Sequence, residues 1–382
     1  MTEDRPLKIL LMGDASNYHN ALATGLSRLG HDVTVASSGS GWMNTDRGID
    51  LTRREGKVGG AVFWIKFLTR ILPKMKGYDV VSIKNPIFLE LRPEKILYTF
   101  DYLKRHNRRV FLTALGTDTP YVDMCTASDS PLRYSEWRVG GHPAPYAIAH
   151  PETEQAWKAP LLRNHCSAIY KGIDGAVTAL YEYDLACRRV LPDNKVAYAG
   201  IPIDTASIVP VELPDRPDKV KFFLGMHKDR LAEKGTDRLM AAARRVVDKY
   251  PARCSLDIVE NVPYKEYLGR LRSAHVVIDQ LYSYTPATNA LLAMAMGLNA
   301  VSGAEPEYYG FLGERNLRPV INAVPDDETL SGMFEKIVMH PELIRRRGIE
   351  SRQFVERHND TEVVGRRFLS FWEKCIYGNG NK

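Results

Sequence analysis

Short apolar segments alternate with longer helical patterns along the first half of the chain. Segments rich in Val, Ile and Leu predict buried strands at 8–12, 31–36, 79–83, 109–115 and 174–179. Helical periodicity between these segments predicts helices at 17–29, 63–71 and 94–106. This alternation is typical of a parallel sheet with helices packed on both of its faces.

The second half of the chain repeats the same alternation. Strands are predicted at 220–224, 255–260, 275–279, 299–302 and 319–322. A proline-rich stretch at 201–217 separates the two halves, and proline stiffens linkers and stops helices. We therefore expect an α/β protein with two doubly wound domains, 1–205 and 206–360, followed by an aromatic-rich terminal helix within 361–382.

One long segment, 121–157, interrupts the first half. It contains Gly140 and Gly141 next to each other, several prolines and many polar residues. Long loops in compact domains are usually functional or mobile. We therefore expect this insertion to be functional or mobile.

Composition narrows the class of protein. The chain has 382 residues, of which 44% are hydrophobic and 26% charged, as in ordinary globular proteins. No apolar run reaches the roughly 18 residues that span a bilayer, and the acidic start does not resemble a secretory signal. Five dispersed cysteines indicate reduced thiols in a cytoplasmic protein and argue against a zinc site.

A formal net charge of +6 permits anionic partners without selecting one. Because zinc-finger spacing, an RNA-binding aromatic motif and a basic tail are missing from the sequence, we expect no nucleic acid partner. The basic, aromatic stretch 63–76 has an amphipathic pattern, which would suit peripheral contact with an anionic membrane surface. A core-facing helix with a solvated basic edge is the alternative, and it is the more frequent case.

Two segments of the second half combine features that favour diphosphate binding. Arg230 and Lys234 follow a strand that ends at Gly225, and fixed cations there would stabilise a departing diphosphate. The alternative is a solvated basic turn. Further along, Thr285 is predicted to cap a helix whose first residue is Pro286. The free N–H groups of residues 287–289 would then bind phosphate or sugar oxygens.

Polar residues also follow the strands of the first half. Asp14, His19, Asn85 and Asp118 lie in or just after loops at the carboxyl ends of predicted strands, where doubly wound folds bind ligands. Gly13 alone does not make a dinucleotide fingerprint. An ordinary role in turns or helix caps is about equally expected for each of these side chains.

Several short motifs occur in an order that resembles a known enzyme class. They are Gly30-His31, residues 202–204, 279–284, 289–291, the 293–298 helix end and 303–307. The sequence resembles GT-B glycosyltransferases, most closely a bacterial subgroup of the retaining family 4 enzymes, over nearly its whole length. The resemblance implies two Rossmann-like domains facing a cleft, with the acceptor on the first domain and the nucleotide sugar on the second. It also implies that the terminal helix crosses back to the first domain.

The resemblance assigns roles to residues of this sequence. It implies catalytic roles for Arg230 and Lys234 against the diphosphate and for Asp118 and His19 near the sugar, and acceptor contacts for Asp14 and Asn85. The implied nucleotide-sugar contacts are Gly225, Asn261, Val262, Tyr264, Thr285, Ala287, Thr288, Asn289 and Glu305. No metal or other cofactor is implied.

The sequence departs from the wider group at two positions. That group carries two glutamates where this chain has Tyr284 and Leu292, and the second one normally holds the donor ribose. Glu305 or Glu307 would be a substitute for such a polar contact.

We therefore expect transfer of a sugar, with retention, from a nucleoside diphosphate sugar to a glycan or lipid-linked acceptor. The alternatives are a nucleotide-sugar epimerase of the same fold and a degenerate subunit that binds a sugar nucleotide without turnover.

Overall fold

A computed structural model describes residues 5–39, 43–226, 228–260 and 262–378. Asn261, one of the predicted nucleotide contacts, therefore lies outside the described residues. The chain forms two compact units. The first unit comprises Met1–Asp123, Gln155–Pro202 and Thr361–Lys382, and the second comprises Met124–Glu154 and Ile203–Asp360.

The strands of the described residues are numbered in chain order. They are β1 (Lys8–Met12), β2 (Asp32–Ser37), β3 (Ile49–Asp50), β4 (Val80–Ile83), β5 (Arg109–Ala114), β6 (Arg138–Val139), β7 (His142–Pro143), β8 (Gly175–Thr178), β9 (Val196–Tyr198), β10 (Val220–Met226), β11 (Cys254–Glu260), β12 (Val276–Ile278), β13 (Asn299–Ser302) and β14 (Ile321–Asn322).

The α-helices are numbered in the same way. They are α1 (Tyr18–Arg28), α2 (Gly56–Lys66), α3 (Pro93–His106), α4 (Thr119–Thr126), α5 (Pro145–Ala149), α6 (Pro151–Lys158), α7 (Pro160–Gly172), α8 (Tyr181–Arg188), α9 (Leu231–Lys234), α10 (Thr236–Lys249), α11 (Tyr264–Arg272), α12 (Thr288–Ala295), α13 (Pro306–Leu312), α14 (Asp327–Met339), α15 (Leu343–His358) and α16 (Thr361–Tyr377).

Each unit contains one parallel sheet. The first sheet has the order β3-β2-β1-β4-β5-β8-β9, and the second has the order β11-β10-β12-β13-β14. The central strands β1, β4, β10 and β12 consist almost entirely of buried apolar residues, as strands covered on both faces require. The predicted α/β class with two doubly wound sheets is confirmed.

The strand orders locate a switch point in each sheet. In the first sheet the chain winds from β1 toward β2 on one side and from β4 toward β5 on the other. In the second sheet it winds from β10 toward β11 and from β12 toward β13. Ligands of doubly wound sheets bind where neighbouring strands diverge in this way, at their carboxyl ends.

The insertion is more structured than the sequence indicates. Its segment 124–154 contains the antiparallel hairpin of β6 and β7 and the short helix α5. Although it lies between β5 and β8 of the first sheet in chain order, this segment belongs to the second unit. The predicted boundary of 1–205 counted it with the first domain.

The terminal helix α16 packs within the first unit. Its Phe371 and Trp372 lie against Phe111 of β5, with ring centroids 5.9 and 6.0 Å apart. Where α16 begins, Gly25 of α1 lies so close that a Cβ built on it would be 2.2 Å from the carbonyl oxygen of Thr361. A glycine in α1 thus allows the two backbones to approach.

This close approach makes a prediction. Gly25→Ala should lower the thermal midpoint of the protein, because the added methyl group overlaps a backbone oxygen, and overpacking of this kind costs about 1–3 kcal/mol. Gly269→Ala in α11 is the matched control, since its Cβ would meet no atom within 4 Å. Equal midpoints for Gly25→Ala and the wild type, measured by differential scanning fluorimetry, would contradict the packing of α16 on α1.

Candidate functional site

The switch point of the second sheet places a lysine beside a buried carboxylate. Lys234 ends α9, and its ammonium nitrogen lies 3.9 Å from Oδ1 of Asp279, which directly follows β12. The Asp279 side chain is 1% exposed, whereas the Lys234 side chain retains 31% exposure. Ser302 donates a hydrogen bond of 3.2 Å to the other carboxylate oxygen. The Asp279 carboxylate therefore holds the lysine ammonium group on its buried side, and the lysine side chain stays partly accessible to solvent.

Backbone contacts fix this arrangement. The N–H of Leu281 donates to the carbonyl oxygen of Lys234 at 2.8 Å, which joins the basic turn to the loop after β12. Gly235 adopts a left-handed conformation with φ of 67°, which lets the chain turn from α9 into α10. A Cβ on Gly303 would lie 1.8 Å from the carbonyl oxygen of Ser283, so the same loop packs directly against the end of β13.

Arg230 lies in the same turn but is already paired. It belongs to the 3-10 turn Lys228–Arg230, and its guanidinium group donates to the Glu233 carboxylate at 2.9 and 2.6 Å. A bound diphosphate would compete with Glu233 for this group. Lys234 is therefore the better placed of the two predicted cations.

The predicted start of the neighbouring helix is wrong by two residues. Thr285 and Pro286 are buried in the loop, and α12 begins at Thr288 with Ala287 as its extended N-cap residue. Thr285 is not the N-cap residue, because the chain is still extended at Ala287 and becomes helical only at Thr288. Ala287, Thr288 and Asn289 are half-buried, and the first turn of α12 offers the N–H groups that favour anions at helix starts.

Gly225 and Asn289 are connected through a tyrosine that the sequence analysis did not select. A Cβ on Gly225 would lie 2.4 Å from the ring of Tyr267, so glycine in β10 makes room for that ring. The Tyr267 hydroxyl donates to Oδ1 of Asn289. Burial raises the pKa of Tyr267, which keeps the hydroxyl protonated as a donor. The structure thus gives Gly225 a packing role that supports the first turn of α12.

The remaining residues predicted to contact the nucleotide lie at the start of α11. Tyr264 is the first residue of that helix and Val262 precedes it by two residues, after β11. Both side chains are half-buried, and Val262 packs against the apolar core of the second unit. Since β11 neighbours β10, these residues follow the strand next to the switch point.

Glu305 is engaged by the insertion. Its carboxylate, 5% exposed, accepts hydrogen bonds from Tyr134 at 2.5 Å and from Asn322 at 2.8 Å, and it pairs with Arg133. Glu307 also pairs with Arg133. The two glutamates therefore hold the segment 124–154 on the second unit, and the expectation that they replace the missing ribose contact stays a prediction.

The two positions that depart from the wider group have clear structural roles. The Tyr284 hydroxyl accepts a hydrogen bond of 2.6 Å from the backbone N–H of Arg133. The centroid of the Tyr284 ring lies 5.3 Å from the guanidinium group of Arg133. The rings of Tyr134 and Tyr284 lie 5.0 Å apart. Leu292 of α12 is half-buried and packs against the apolar core. Tyr284 anchors the insertion, whereas Leu292 fills core space where the wider group carries an acid.

The first unit has its own cluster at the β1–β4 switch point. Asp14 accepts the N–H groups of Ala15 and His19, both at 2.9 Å, and the Thr45 hydroxyl at 3.0 Å. The Lys84 ammonium group donates to the carbonyl oxygen of Asp14 at 3.1 Å. Burial raises the pKa of Asp14 and lowers that of Lys84. Asp14 therefore orders the loop after β1, as a structural residue would.

His19 is fully buried beneath this loop. Its Nδ1 lies 2.6 Å from the carbonyl oxygen of Gly13, and its Nε2 lies 3.2 Å from the Thr113 hydroxyl. Burial lowers the pKa of His19 to about 4, so the imidazole is neutral at physiological pH. Both ring nitrogens are occupied, and a catalytic role for His19 stays a prediction.

Asp118 and Asn85 follow neighbouring strands, β5 and β4. Asp118 is 4% exposed and accepts the N–H of Tyr121 at 3.0 Å and the hydroxyl of Tyr170 at 2.7 Å. Burial raises its pKa to about 6. Asn85 is half-buried and bridges the Thr117 carbonyl oxygen and the Ile87 N–H. The structure brings these side chains to one edge of the first sheet, with their polar atoms in internal bonds.

Among the described residues, no three His, Cys, Asp or Glu side chains form a group that could hold a metal ion. Within the same residues, no helix is long and apolar enough to cross a bilayer. The expected independence from metal stays a prediction.

Two large cavities lie away from both switch points. One, of about 650 Å³, is lined by residues of β14, α14 and α15, including Lys336, His340 and Arg347. The other, of about 760 Å³, is lined by residues of α1, β2 and the segment 46–48. The residues that line these two cavities do not include Lys234, Asp279 or Thr288, and the candidate donor site is defined by strand topology and charge.

The burial of Asp118 predicts a pH dependence of stability. A carboxyl whose pKa rises from 3.8 to about 6 on folding binds more protons in the folded state, so its contribution to stability falls as pH rises through that window. Asp118→Asn lacks this titration. Relative to the wild type, the free energy of unfolding of the variant should rise by about 2 kcal/mol between pH 4 and pH 8.

Denaturant unfolding at several pH values measures this difference, and Asp101→Asn, an exposed position on α3, controls for removal of a carboxyl group. A difference between Asp118→Asn and the wild type that does not change with pH would contradict the burial of Asp118 as a carboxyl.

A second prediction concerns the ion pairs of the insertion. Arg133→Ala and Glu307→Ala should each increase the rate at which a broad-specificity protease cleaves within 124–154, and Arg133→Ala should have the larger effect, because Arg133 pairs with both Glu305 and Glu307. The double variant should be cleaved little faster than Arg133→Ala alone, since residues in contact are coupled.

Arg345→Ala is the control, because this arginine forms a comparable exposed pair with Asp215 at 2.5 Å in the same unit. Mass spectrometry maps the cleavage sites. Equal cleavage within 124–154 in the Arg133 and Arg345 variants would show that Arg133 does not anchor this segment.

At the level of sequence, the chain matches no protein-family model and no curated protein. Solved structures match over nearly the whole chain. Sucrose-phosphate synthase from Thermosynechococcus elongatus superposes with a TM-score of 0.62 at 13% identity, covering 97% of this chain and 100% of that one. A glycosyltransferase from Rickettsia africae gives 0.54 at 10% identity, with coverages of 98% and 100%.

HepE from Anabaena, solved in complex with UDP and glucose, has a TM-score of 0.56 at 10% identity and covers 95% of this chain and 98% of its own. Identities this low establish a shared fold and leave the activity to be tested. The chain has the GT-B fold.

Proposed function

We propose that the protein transfers a sugar from a nucleoside diphosphate sugar to an acceptor, and that the donor binds at the β10–β12 switch point. The observation that carries this proposal is the partly exposed side chain of Lys234, whose ammonium nitrogen lies 3.9 Å from the buried Asp279 carboxylate, at the switch point whose following loop leads into α12. A cation and a helix start at one switch point suit a diphosphate. HepE, which shares the fold, was solved with UDP and glucose.

The geometry suggests how the reaction would be assisted. Negative charge grows on the departing diphosphate as the glycosidic bond breaks, so a fixed positive charge lowers the barrier. Lys234 would supply that charge, and Arg230 would add to it after leaving Glu233. The first N–H groups of α12 would donate hydrogen bonds to phosphate or sugar oxygens. Nucleotide contacts would come from the start of α11, at Val262 and Tyr264.

The finer features of the reaction extend this proposal. We place the enzyme with the retaining family 4 type and assign it a glycan or lipid-linked acceptor in polysaccharide biosynthesis, with no metal required. The loops at the carboxyl ends of β1, β4 and β5 would serve the acceptor or the sugar. Because Asp14, His19 and Asp118 use their polar atoms internally, their main contribution would be to shape these loops.

A second candidate has one observation in its favour. Leu292 packs into the apolar core at a position where the resemblance implies an acid that holds the donor ribose. A subunit that binds a sugar nucleotide without turnover would tolerate this change. Release of nucleoside diphosphate from a donor that binds would exclude this candidate. If Leu292→Glu greatly raises the affinity for the donor, the leucine marks a function that this chain has lost. If the variant lowers that affinity, the pocket has been rebuilt around the leucine.

The role of Lys234 is testable with a panel of UDP, GDP, ADP, CMP and their sugar conjugates. One nucleotide should raise the thermal midpoint of the wild type, since ligands that bind only the folded state stabilise it. Lys234→Ala should weaken the affinity for that nucleotide by about tenfold to hundredfold, as expected for a lost hydrogen bond to a charged group. EDTA should leave the stabilisation unchanged.

Lys249→Ala is the matched control, because this lysine lies at the end of α10 and forms a surface ion pair with Glu335. Its affinity should equal that of the wild type. Equal affinities for the Lys234 and Lys249 variants, measured by isothermal titration, would refute the proposed diphosphate contact.

A further inference from the structure

Helix α2 of the first unit is apolar on two faces. Phe63 is 6% exposed and belongs to the core of the unit. On the same helix Val58 is 78% exposed, Val62 62% and Ile65 64%. A surface helix normally turns one apolar stripe to the core and polar residues to solvent, so the second apolar stripe needs an explanation.

The three exposed residues form one continuous stripe. Val58, Val62 and Ile65 are spaced by four and three residues, which places them one above the other on a helix. Phe63 and, after α2, Phe67 point the other way and are buried. The stripe is therefore a face of α2 that the first unit leaves uncovered.

Positive charge surrounds this stripe. Residues 53–76 contain seven Lys or Arg residues and one acid, a formal charge of +6 that equals the net charge of the whole chain. Most of these basic side chains are exposed. They are Arg54, Lys57, Lys66, Arg70, Lys74 and Lys76. Lys57 and Lys66 lie on α2 itself, beside the stripe.

An aromatic pair lies on and beside α2. Trp64 is half-buried, with its ring stacked 5.6 Å from that of Phe67. Tyr98 of α3 is 54% exposed, and its ring lies 5.9 Å from that of Trp64. Tryptophan and tyrosine favour the boundary between lipid and water, since each ring has an apolar body and a polar group.

The exposed face differs from the one that the sequence indicates. The amphipathic pattern of 63–76 allowed either membrane contact or a core-facing helix with a solvated basic edge. Phe63, Phe67, Ile71 and Leu72 of that stretch are buried in the core, as the second alternative requires. The basic residues of the stretch remain at the surface. The exposed apolar face lies earlier in the sequence, at Val58, Val62 and Ile65 of α2, whose side chains are not part of the core.

We propose that the face formed by Val58, Val62 and Ile65, with its flanking basic residues, docks on an anionic lipid bilayer. Charge complementarity selects this occupant, because an apolar stripe flanked by cations matches acyl chains beneath anionic headgroups. A protein partner would need its own apolar strip bordered by acids. The docking surface involves the first unit alone and does not depend on the proposed donor site.

Vesicle flotation of the full chain tests the proposal without any nucleotide sugar. The wild type should float with vesicles of phosphatidylcholine and phosphatidylglycerol, and the bound fraction should fall as salt is raised. Binding to vesicles of phosphatidylcholine alone should be at least about tenfold weaker, since each cation near an anionic surface adds affinity. Comparable binding to both vesicle types would overturn the charge argument.

Two variants separate the contributions of the apolar and basic residues. Val62→Ser with Ile65→Ser should reduce binding to anionic vesicles by about tenfold or more, because apolar burial then no longer contributes. Lys66→Glu with Arg70→Glu should reduce it at least as strongly. Thermal midpoints should stay near that of the wild type, since all four side chains are exposed.

The matched controls lie on α15 of the second unit. Ile349→Ser changes a side chain that is 52% exposed, and Arg346→Glu changes one that is 72% exposed. Both should bind vesicles like the wild type. Equal losses in the control and the α2 variants would overturn the proposal. So would a wild type that stays unbound and self-associates through Val62 and Ile65, which would make this face a protein interface.

Discussion

The divergence of the chain on either side of β10 and β12 is the constraint on which the candidate site depends. These strands are neighbours, yet their crossover helices lead to opposite edges of the second sheet. No helix can cover the point between them, and the turns at their carboxyl ends stay open. The basic turn after β10 and the loop after β12 meet at this point, because both follow the carboxyl ends of neighbouring strands. Short connections after these strands then fix the positions of the Lys234 ammonium group, the Asp279 carboxylate and the start of α12.

Close packing makes this arrangement rigid. Gly225 admits the ring of Tyr267, and Gly303 admits the backbone of Ser283, so each glycine removes a side chain where two elements approach. The hydrogen bond from Tyr267 to Asn289 then ties α11 to α12. Because backbone contacts already hold the site in place, binding of an anion costs little conformational entropy. A single fixed cation can then bind the anion without a large set of additional ligands. The segment 124–154 adds to this unit through Arg133 and Tyr134, so chain order and structural unit do not coincide.

The sequence predicts the central strands and the helices between them well, because buried parallel strands are short apolar runs. The predicted strand 299–302 has the bounds of β13, and the predicted helix 94–106 differs from α3 by one residue at its start. The sequence alone does not show what tertiary contacts decide. Thr285 and Pro286 have the chemistry of a helix start, but both are buried in the loop and α12 begins only at Thr288. The partners of Glu305, Arg133 and Tyr134, are far away in sequence and could not be predicted from it. The exposed stripe of α2 was missed because its core-facing residues dominate the apolar pattern.

A crystal structure with the nucleoside diphosphate that stabilises the protein most would test the central claim directly, because it shows where the diphosphate lies. The account predicts that the phosphates contact the Lys234 ammonium group and the N–H groups in the first turn of α12, with the base near Val262 and Tyr264. A nucleotide bound elsewhere, for example in the cavity lined by Lys336 and Arg347, would contradict it.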